Sequence, residues 1–199
     1  MAFYTMLCRS GFFTSKELKE NFMTDGGIFP IHPIKNINKG IEFSGGSLGM
    51  GFSFAVGKAY ALKLDKLSNK VYALLGDGEC DEGIVWEAFL SASQLKLSNL
   101  TAIIDNNKFQ QDGPTEEIVK IDFVKMVKAC GWNVIEVDGH SIRGLLEAFN
   151  QKFDNELPKC IIANTIKGKG ISFMENDIYW HHAFLSEKQY IKAIEELNR

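Results

Sequence analysis

No stretch of this 199-residue sequence approaches the roughly 18 consecutive apolar residues of a membrane-spanning helix, and the apolar opening from Met1 to Leu7 lacks the positive flank of a signal peptide. A membrane partner is therefore not expected. Cysteine is scarce and scattered: Cys8, Cys80, Cys130 and Cys160 stand 72, 50 and 30 residues apart, with no CxxC pair. That spacing argues against zinc and against a disulfide framework, and makes a reducing cytoplasm the expected location. Basic charge is not in excess either. With 22 Lys and Arg against 25 Asp and Glu the net charge is −3, and no basic stripe offers a footprint for nucleic acid. Low-complexity tracts and fixed-period repeats are missing too, which excludes disordered, collagen-like and solenoid architectures.

What is present is the composition of an ordinary globular domain, 45% apolar and 24% charged, at a length that suits one compact domain with some surplus. Residues 1–24 read as helical, ending before Asp25-Gly26-Gly27. Residues 28–50, with Gly, Pro and Asn but little periodicity, read as a long functional loop. A helix is expected from Gly51 to about Leu67 and a short buried strand over Val71–Leu75. After the break at Gly76-Asp77-Gly78 come a helix from about Glu82 to Leu97 and a strand over Leu100–Ile104. The pattern then repeats. A helix from about Phe123 to Cys130, a strand over Asn133–Val137, a helix over Ile142–Lys152 and a strand over Lys159–Thr165 follow, and Ser186 to Gln189 has capping-box spacing for a final helix. Continuous apolar strands joined by helices predict a doubly wound α/β fold, a mostly parallel sheet of at least four strands with helices on both faces.

In such a sheet ligands bind beyond the carboxyl ends of the strands, so the residues that follow the two clearest strands matter most. These are Gly76-Asp77-Gly78 and Asp105-Asn106-Asn107. Asp77 and Asn107 lie 30 residues apart, about one βαβ unit, which predicts one carboxylate and one amide oxygen at the same sheet edge. With a backbone carbonyl and ligand oxygens, that set suits Mg²⁺. The glycines beside Asp77 admit a phosphate, and the helix after it offers free N–H groups. Asp-Gly and Asn-Asn are also ordinary turn residues. Their joint occurrence at this spacing is expected by chance in about one such chain in a thousand. The glycine run GMGFSFAVGKA is not a phosphate loop of the GxxxxGK[ST] type, since Phe52 and Ala59 break it, and GxGxxG is absent.

The run GDGECDEGIVWEAFLSASQLKLSNLTAIIDNNKFQQDGPTEE resembles the thiamine diphosphate motif of transketolases. GGSLGMG at 45–51, VDGH at 137–140, KGKGISFMEN at 167–176 and WHHA at 180–183 extend the likeness, in order, over nearly the whole chain. The resemblance is greatest to the amino-terminal subunit of split transketolases. It implies the diphosphate-binding fold, thiamine diphosphate with Mg²⁺ as cofactors, and transfer of a two-carbon ketol unit from a ketose phosphate to an aldose. It also implies roles for individual residues. Asp77 and Asn107 would ligate Mg²⁺ with the backbone carbonyl of Phe109, and Gly78 would bind diphosphate. Gly46 and Leu48 would contact the aminopyrimidine, Glu79 would be a further cofactor contact, and Glu82 and Glu87 would be interior carboxylates that position the cofactor or the subunit contact. His32 and His181 would act on sugar hydroxyls or the diphosphate, with Lys167 a basic group beside them.

The sequence departs from the family at Ile31, Gly45, Met50 and Phe184, all on the substrate side. Its first residues, Met1-Ala2-Phe3-Tyr4, resemble a helix that in the family follows a Ser-Lys-Gly-His segment. That segment and an earlier Gly-His-Pro are not in the sequence. The resemblance further implies that residues 1–199 are one diphosphate-binding domain. The pyrimidine-binding and carboxy-terminal domains would then belong to a separate carboxy-terminal subunit in an α₂β₂ assembly. Two other readings of the same residues are another thiamine enzyme, either a deoxyxylulose-phosphate synthase or a 2-oxoacid dehydrogenase α chain, and a truncated module that binds without turnover.

Overall fold

The computed structural model describes residues 2–198. Its centre is a sheet of four parallel strands, β1 (Val71–Gly76), β2 (Leu100–Asn106), β5 (Asn133–Asp138) and β6 (Lys159–Asn164), in the order β1-β2-β6-β5. A two-residue antiparallel hairpin, β3 (Phe109–Gln110) with β4 (Gly113–Pro114), lies beyond the end of β2. Each strand of the main sheet falls where the apolar runs place it.

The strands alternate between two faces. On one, Val71, Ala73 and Leu75 of β1, Leu100, Ala102 and Ile104 of β2 and Cys160 and Ile162 of β6 pack against three helices. These are α3 (Met50–Leu64), α4 (Gly83–Gln94) and α6 (Phe123–Ala129). Phe52, Phe89 and Trp132 meet at its centre, with ring centroids 4.8 Å apart for Phe52–Phe89 and for Phe89–Trp132. The Trp132 indole N–H donates to the Phe89 carbonyl at 2.8 Å, so its one polar group is satisfied where it is buried. Burying each such ring stabilises the fold by about 1.5–3 kcal/mol. On the other face α7 (Ile142–Asn150) covers the β5–β6 half, approaching closely enough that a Cβ on Gly144 would stand 2.9 Å from Val137. Over β1 that face is open, leaving Tyr72 59% and Leu74 73% exposed.

A second, smaller core lies apart. The helix expected over residues 1–24 is two helices, α1 (Ala2–Arg9) and α2 (Ser15–Asn21); Met1 lies outside the described residues. Gly11, at φ +86°, ends the first. The Thr14 hydroxyl then starts the second by accepting the Glu17 N–H at 3.1 Å. Tyr4, Phe13, Leu18, Phe29 and Ile41 pack together between the helices and the following loop. Within the long loop 28–50 a single 3₁₀ turn forms, Ile37–Lys39. A short helix, α5 (Thr115–Ile118), precedes α6, and the last element is α8 (Glu187–Leu197). The expected capping box of Ser186 and Gln189 is present at the start of α8.

Candidate functional site

Strands β1 and β2 are neighbours in register, Gly76 opposite Asp105, so the turns that follow them leave the sheet side by side. Asp77 is 2% exposed. Its Oδ1 accepts the Gly78 N–H at 2.9 Å and its Oδ2 accepts the Lys108 N–H at 2.6 Å, which ties the two turns together. Burial, opposed by these two hydrogen bonds, holds the Asp77 carboxyl above the ordinary aspartate range, and the nearby Asp105 charge adds to the rise. The Asn107 Oδ1 accepts the Phe109 N–H at 3.1 Å, a local turn that aims the start of the β3–β4 hairpin back at Asp77.

Gly78 cannot be another residue here. A Cβ on it would stand 2.6 Å from the Cβ of Gln110 in the hairpin. Its N–H, which the resemblance assigns to a diphosphate, is donated to Asp77 in this structure. The chain then makes a 3₁₀ turn, Gly78–Asp81, before α4, so the helix begins at Gly83. No side chain caps α4; the Val85 N–H donates to the Glu82 carbonyl at 3.1 Å.

Glu79, expected as a cofactor contact, bonds two backbone amides. Its Oε1 accepts the Gly49 N–H at 2.8 Å and its Oε2 the Gly76 N–H at 3.2 Å, so the carboxylate joins the end of β1 to the first residue before α3. That clamp brings the 46–48 segment to the Asp77 turn. Gly46, at φ +145°, backs onto the imidazole of His32, where a Cβ would lie 3.5 Å from Cγ. The Tyr4 hydroxyl donates to the Pro30 carbonyl at 2.7 Å and steadies the approach to His32. Leu48 is exposed.

On the other side of Asp77 the 3₁₀ turn Ile178–His181 lies against β3. The Trp180 indole N–H, bonded to the Phe173 carbonyl at 2.9 Å, fixes it. The His181 imidazole is held below its usual pKa by burial and by the Lys167 and His182 charges, while Asp112 opposes them. Lys167 and His181 are thus near each other. Glu82 and Glu87, expected as interior carboxylates, are both exposed in the single chain. They point away from the core because α4 turns Val85, Ala88, Phe89 and Ala92 inward.

Several residues of this edge were not singled out from sequence. The Thr165 hydroxyl donates to the Asp105 carboxylate, and Asn106 Nδ2 donates to Asn164 Oδ1 at 2.7 Å, locking β2 to β6. Gln110 donates to the Asp81 carboxylate. Asn106 Oδ1 and Gln110 Oε1 are buried and have no partner among the described residues. Asn106 lines a cavity of 190 Å³ beside Asp77 and Asp81. Only Asp105 and Asn106, standing at a strand end, carried any sequence signal.

The family described as "Transketolase, thiamine diphosphate binding domain" matches residues 1–197. The chain belongs to the transketolase family. It is 39% identical over 199 residues to one of the subunits of the apulose-4-phosphate transketolase of Phocaeicola vulgatus, covering 99% of this chain and 70% of that one. It is 40% identical over 200 residues to the 6-deoxy-6-sulfo-D-fructose transketolase subunit SqwG of a Clostridium species, covering 100% and 72%. A Pichia stipitis transketolase solved with fructose 6-phosphate superposes with a TM-score of 0.90 at 29% identity, over 98% of this chain and 31% of that one. The chain thus spans about a third of that structure's length.

Within this transketolase-family domain, the residues present fit Mg²⁺ and a diphosphate. Asp77 is a buried carboxylate whose charge a bound cation would offset, and the groups the resemblance sets with it, Asn107 Oδ1 and the Phe109 carbonyl, offer hard oxygens rather than sulfur or imidazole. No group of three or more His, Cys, Asp or Glu that could hold a metal ion occurs among the described residues. Among the described residues no helix is long and apolar enough to cross a membrane.

Proposed function

We propose that this chain is the diphosphate-binding subunit of a cytoplasmic two-chain transketolase that moves a two-carbon ketol unit from a ketose phosphate to an aldose acceptor. One observation carries the reading. A buried Asp77 and the Asn107 turn meet at the carboxyl ends of neighbouring parallel strands and are hydrogen-bonded across the gap. Asp77, Asn107 Oδ1 and the Phe109 carbonyl hold Mg²⁺, and the Gly78 turn and the uncapped α4 N-terminus receive the diphosphate. Gly46 and Leu48 receive the aminopyrimidine, and Glu79 keeps their segment in place. When bound, thiamine diphosphate supplies the nucleophilic carbon and electron sink that carbon–carbon cleavage requires. His32 and His181 orient the sugar and hold or pass protons at its hydroxyls, and Lys167 offsets phosphate charge.

Residues 1–199 form one domain in this reading. A second chain carries the pyrimidine-binding and carboxy-terminal domains, in an α₂β₂ assembly. The names of the two bacterial relatives, both of them subunits, support such a partner. The exposed Glu82 and Glu87, at the open side of α4, then lie toward the partner or a second copy of this chain. The four free cysteines suit a reducing compartment.

The test is reconstitution with the partner. Calorimetry should show thiamine diphosphate binding that requires Mg²⁺ and is lost in Asp77→Ala and Asn107→Ala, and two-carbon transfer should require both chains. Full transfer by this chain alone would overturn the reading. Apulose 4-phosphate and 6-deoxy-6-sulfo-D-fructose, which appear in the relatives' names, are donors to assay beside common ketose phosphates.

A further inference from the structure

We propose that His140 is a positioning residue for Lys167, acting as a neutral hydrogen-bond acceptor that fixes the start of the basic loop after β6. The proposal rests on the reading above, in which this edge receives a diphosphate. His140 Nε2 accepts the backbone N–H of Ile166 at 2.8 Å. Only a neutral imidazole can accept there, so its proton sits on Nδ1.

The turn that carries His140 is fixed on both sides. The Asp138 Oδ1 accepts the His140 N–H at 2.9 Å, and Gly139 donates to the Asn164 carbonyl at 2.8 Å. Gly139 lies so close to β6 that a Cβ would stand 2.4 Å from the Thr165 methyl. Pairing with β2 runs out at the same point, since the Thr165 N–H still reaches the Asn106 carbonyl at 3.3 Å and the next amide has no strand to bond. His140 takes that amide.

The next residue is Lys167. From there the loop closes on itself. Asn176 donates to the Lys167 carbonyl at 3.0 Å, Gly168 adopts φ +75° against the Met174 backbone, and Glu175 accepts the Gly170 N–H at 3.1 Å and pairs with Lys169 at 3.5 Å. The loop is therefore a closed unit, and the Ile166 amide is its attachment to the sheet edge. Turning that attachment moves the Lys167 ammonium relative to His181, whose titration senses it. His140 is exposed, so its bond adds little to global stability, and a merely structural role predicts no effect on Lys167.

The test uses the full chain and two variants, His140→Ala and His140→Gln. A glutamine amide oxygen can reach the position of Nε2, whereas alanine offers no acceptor. In wild type at pH 8, nitrogen NMR should show His140 as the Nδ1–H tautomer. In H140A the Lys167 and His181 side-chain resonances should shift and the Ile166 amide should exchange faster with solvent, and H140Q should restore all three. Thiamine diphosphate affinity with Mg²⁺, measured on the reconstituted complex, should fall about 3- to 10-fold in H140A and stay within about 2-fold in H140Q. Unmoved Lys167 and His181 resonances in H140A, or no rescue by H140Q, would overturn the positioning role. Resonances that move and recover while affinity stays constant would instead overturn the placement of the diphosphate beside Lys167.

Discussion

The carboxylate of Asp77, at the end of β1, accepts the backbone N–H of Lys108 beyond the end of β2 at 2.6 Å. One side chain therefore sets the spacing of two turns that are 31 residues apart in sequence. Asp77→Asn keeps the shape but offers one acceptor oxygen in place of two, and leaves one of the two backbone N–H groups unpaired. The apo chain should lose about 1–3 kcal/mol of stability. Thermal unfolding with and without Mg²⁺ and thiamine diphosphate should show the ligand-dependent rise in Tm vanish in this variant.

Glu79→Gln should uncouple the Gly46–Leu48 segment from the Asp77 turn. An amide oxygen can satisfy either Gly49 or Gly76 but not both, at a cost of about 1–3 kcal/mol in urea unfolding. Cofactor affinity should fall more than stability implies, because the aminopyrimidine side loses its register with the diphosphate side. Unchanged affinity would remove Glu79 from the positioning of the site.

Gly78→Ala tests the close approach of the hairpin. The added methyl meets the Gln110 Cβ at 2.6 Å, on a strand segment that cannot yield without moving the Asn107 turn. Calorimetry on the reconstituted pair should show thiamine diphosphate affinity reduced at least tenfold, an overpacking cost of about 1–3 kcal/mol.

His181 should titrate below the ordinary histidine value of about 6.5. Burial comes first among the causes, then the Lys167 and His182 charges. The fold thus favours the neutral ring. Its contribution to stability is present above the unfolded-state value and is lost as pH falls through the folded one. Followed by proton NMR, Lys167→Met should raise the His181 midpoint and Asp112→Asn should lower it further; no response to Lys167→Met would separate the two residues.

Leu74→Lys addresses the open face beside β1. At 73% exposure the side chain contributes little to the core, so unfolding stability should change by less than about 0.5 kcal/mol. Self-association, measured by sedimentation, should decrease, because an uncharged edge strand is a template for further pairing.

The strand frame was legible because buried parallel strands are written as continuous apolar runs, and Val71–Leu75 and Leu100–Ile104 are such runs bounded by turn residues. The Asp77–Asn107 pairing followed from spacing alone, since one βαβ unit fixes which edge both residues share. Other parts had no periodicity to read. The β3–β4 hairpin pairs two residues with two, below any pattern, and its position depends on Gly78 having no side chain. The break at Gly11 was hidden because helix-compatible residues lie before Arg9 and after Ser15, and one glycine alone does not end a helical pattern. Glu82 and Glu87 are exposed in the single chain because α4 turns Val85, Ala88, Phe89 and Ala92 inward, a helix face that periodicity alone does not assign to a subunit contact. His140 stood in the VDGH segment, but its bond could not be read there, because the partner is a backbone amide 26 residues away that no residue type announces.

The small core of Tyr4, Phe13, Leu18, Phe29 and Ile41 shares no buried residue with the core beneath the sheet. His32 follows Pro30, whose carbonyl the buried Tyr4 of the small core holds, whereas Asp77 and Asn107 follow strands of the large one. Where two such clusters open separately, the smaller opens at the lower free energy, which hydrogen exchange at Tyr4 and Phe29 against Leu100 and Ile104 would read. In the proposed function, the residues assigned to the sugar would then loosen before those assigned to metal and diphosphate.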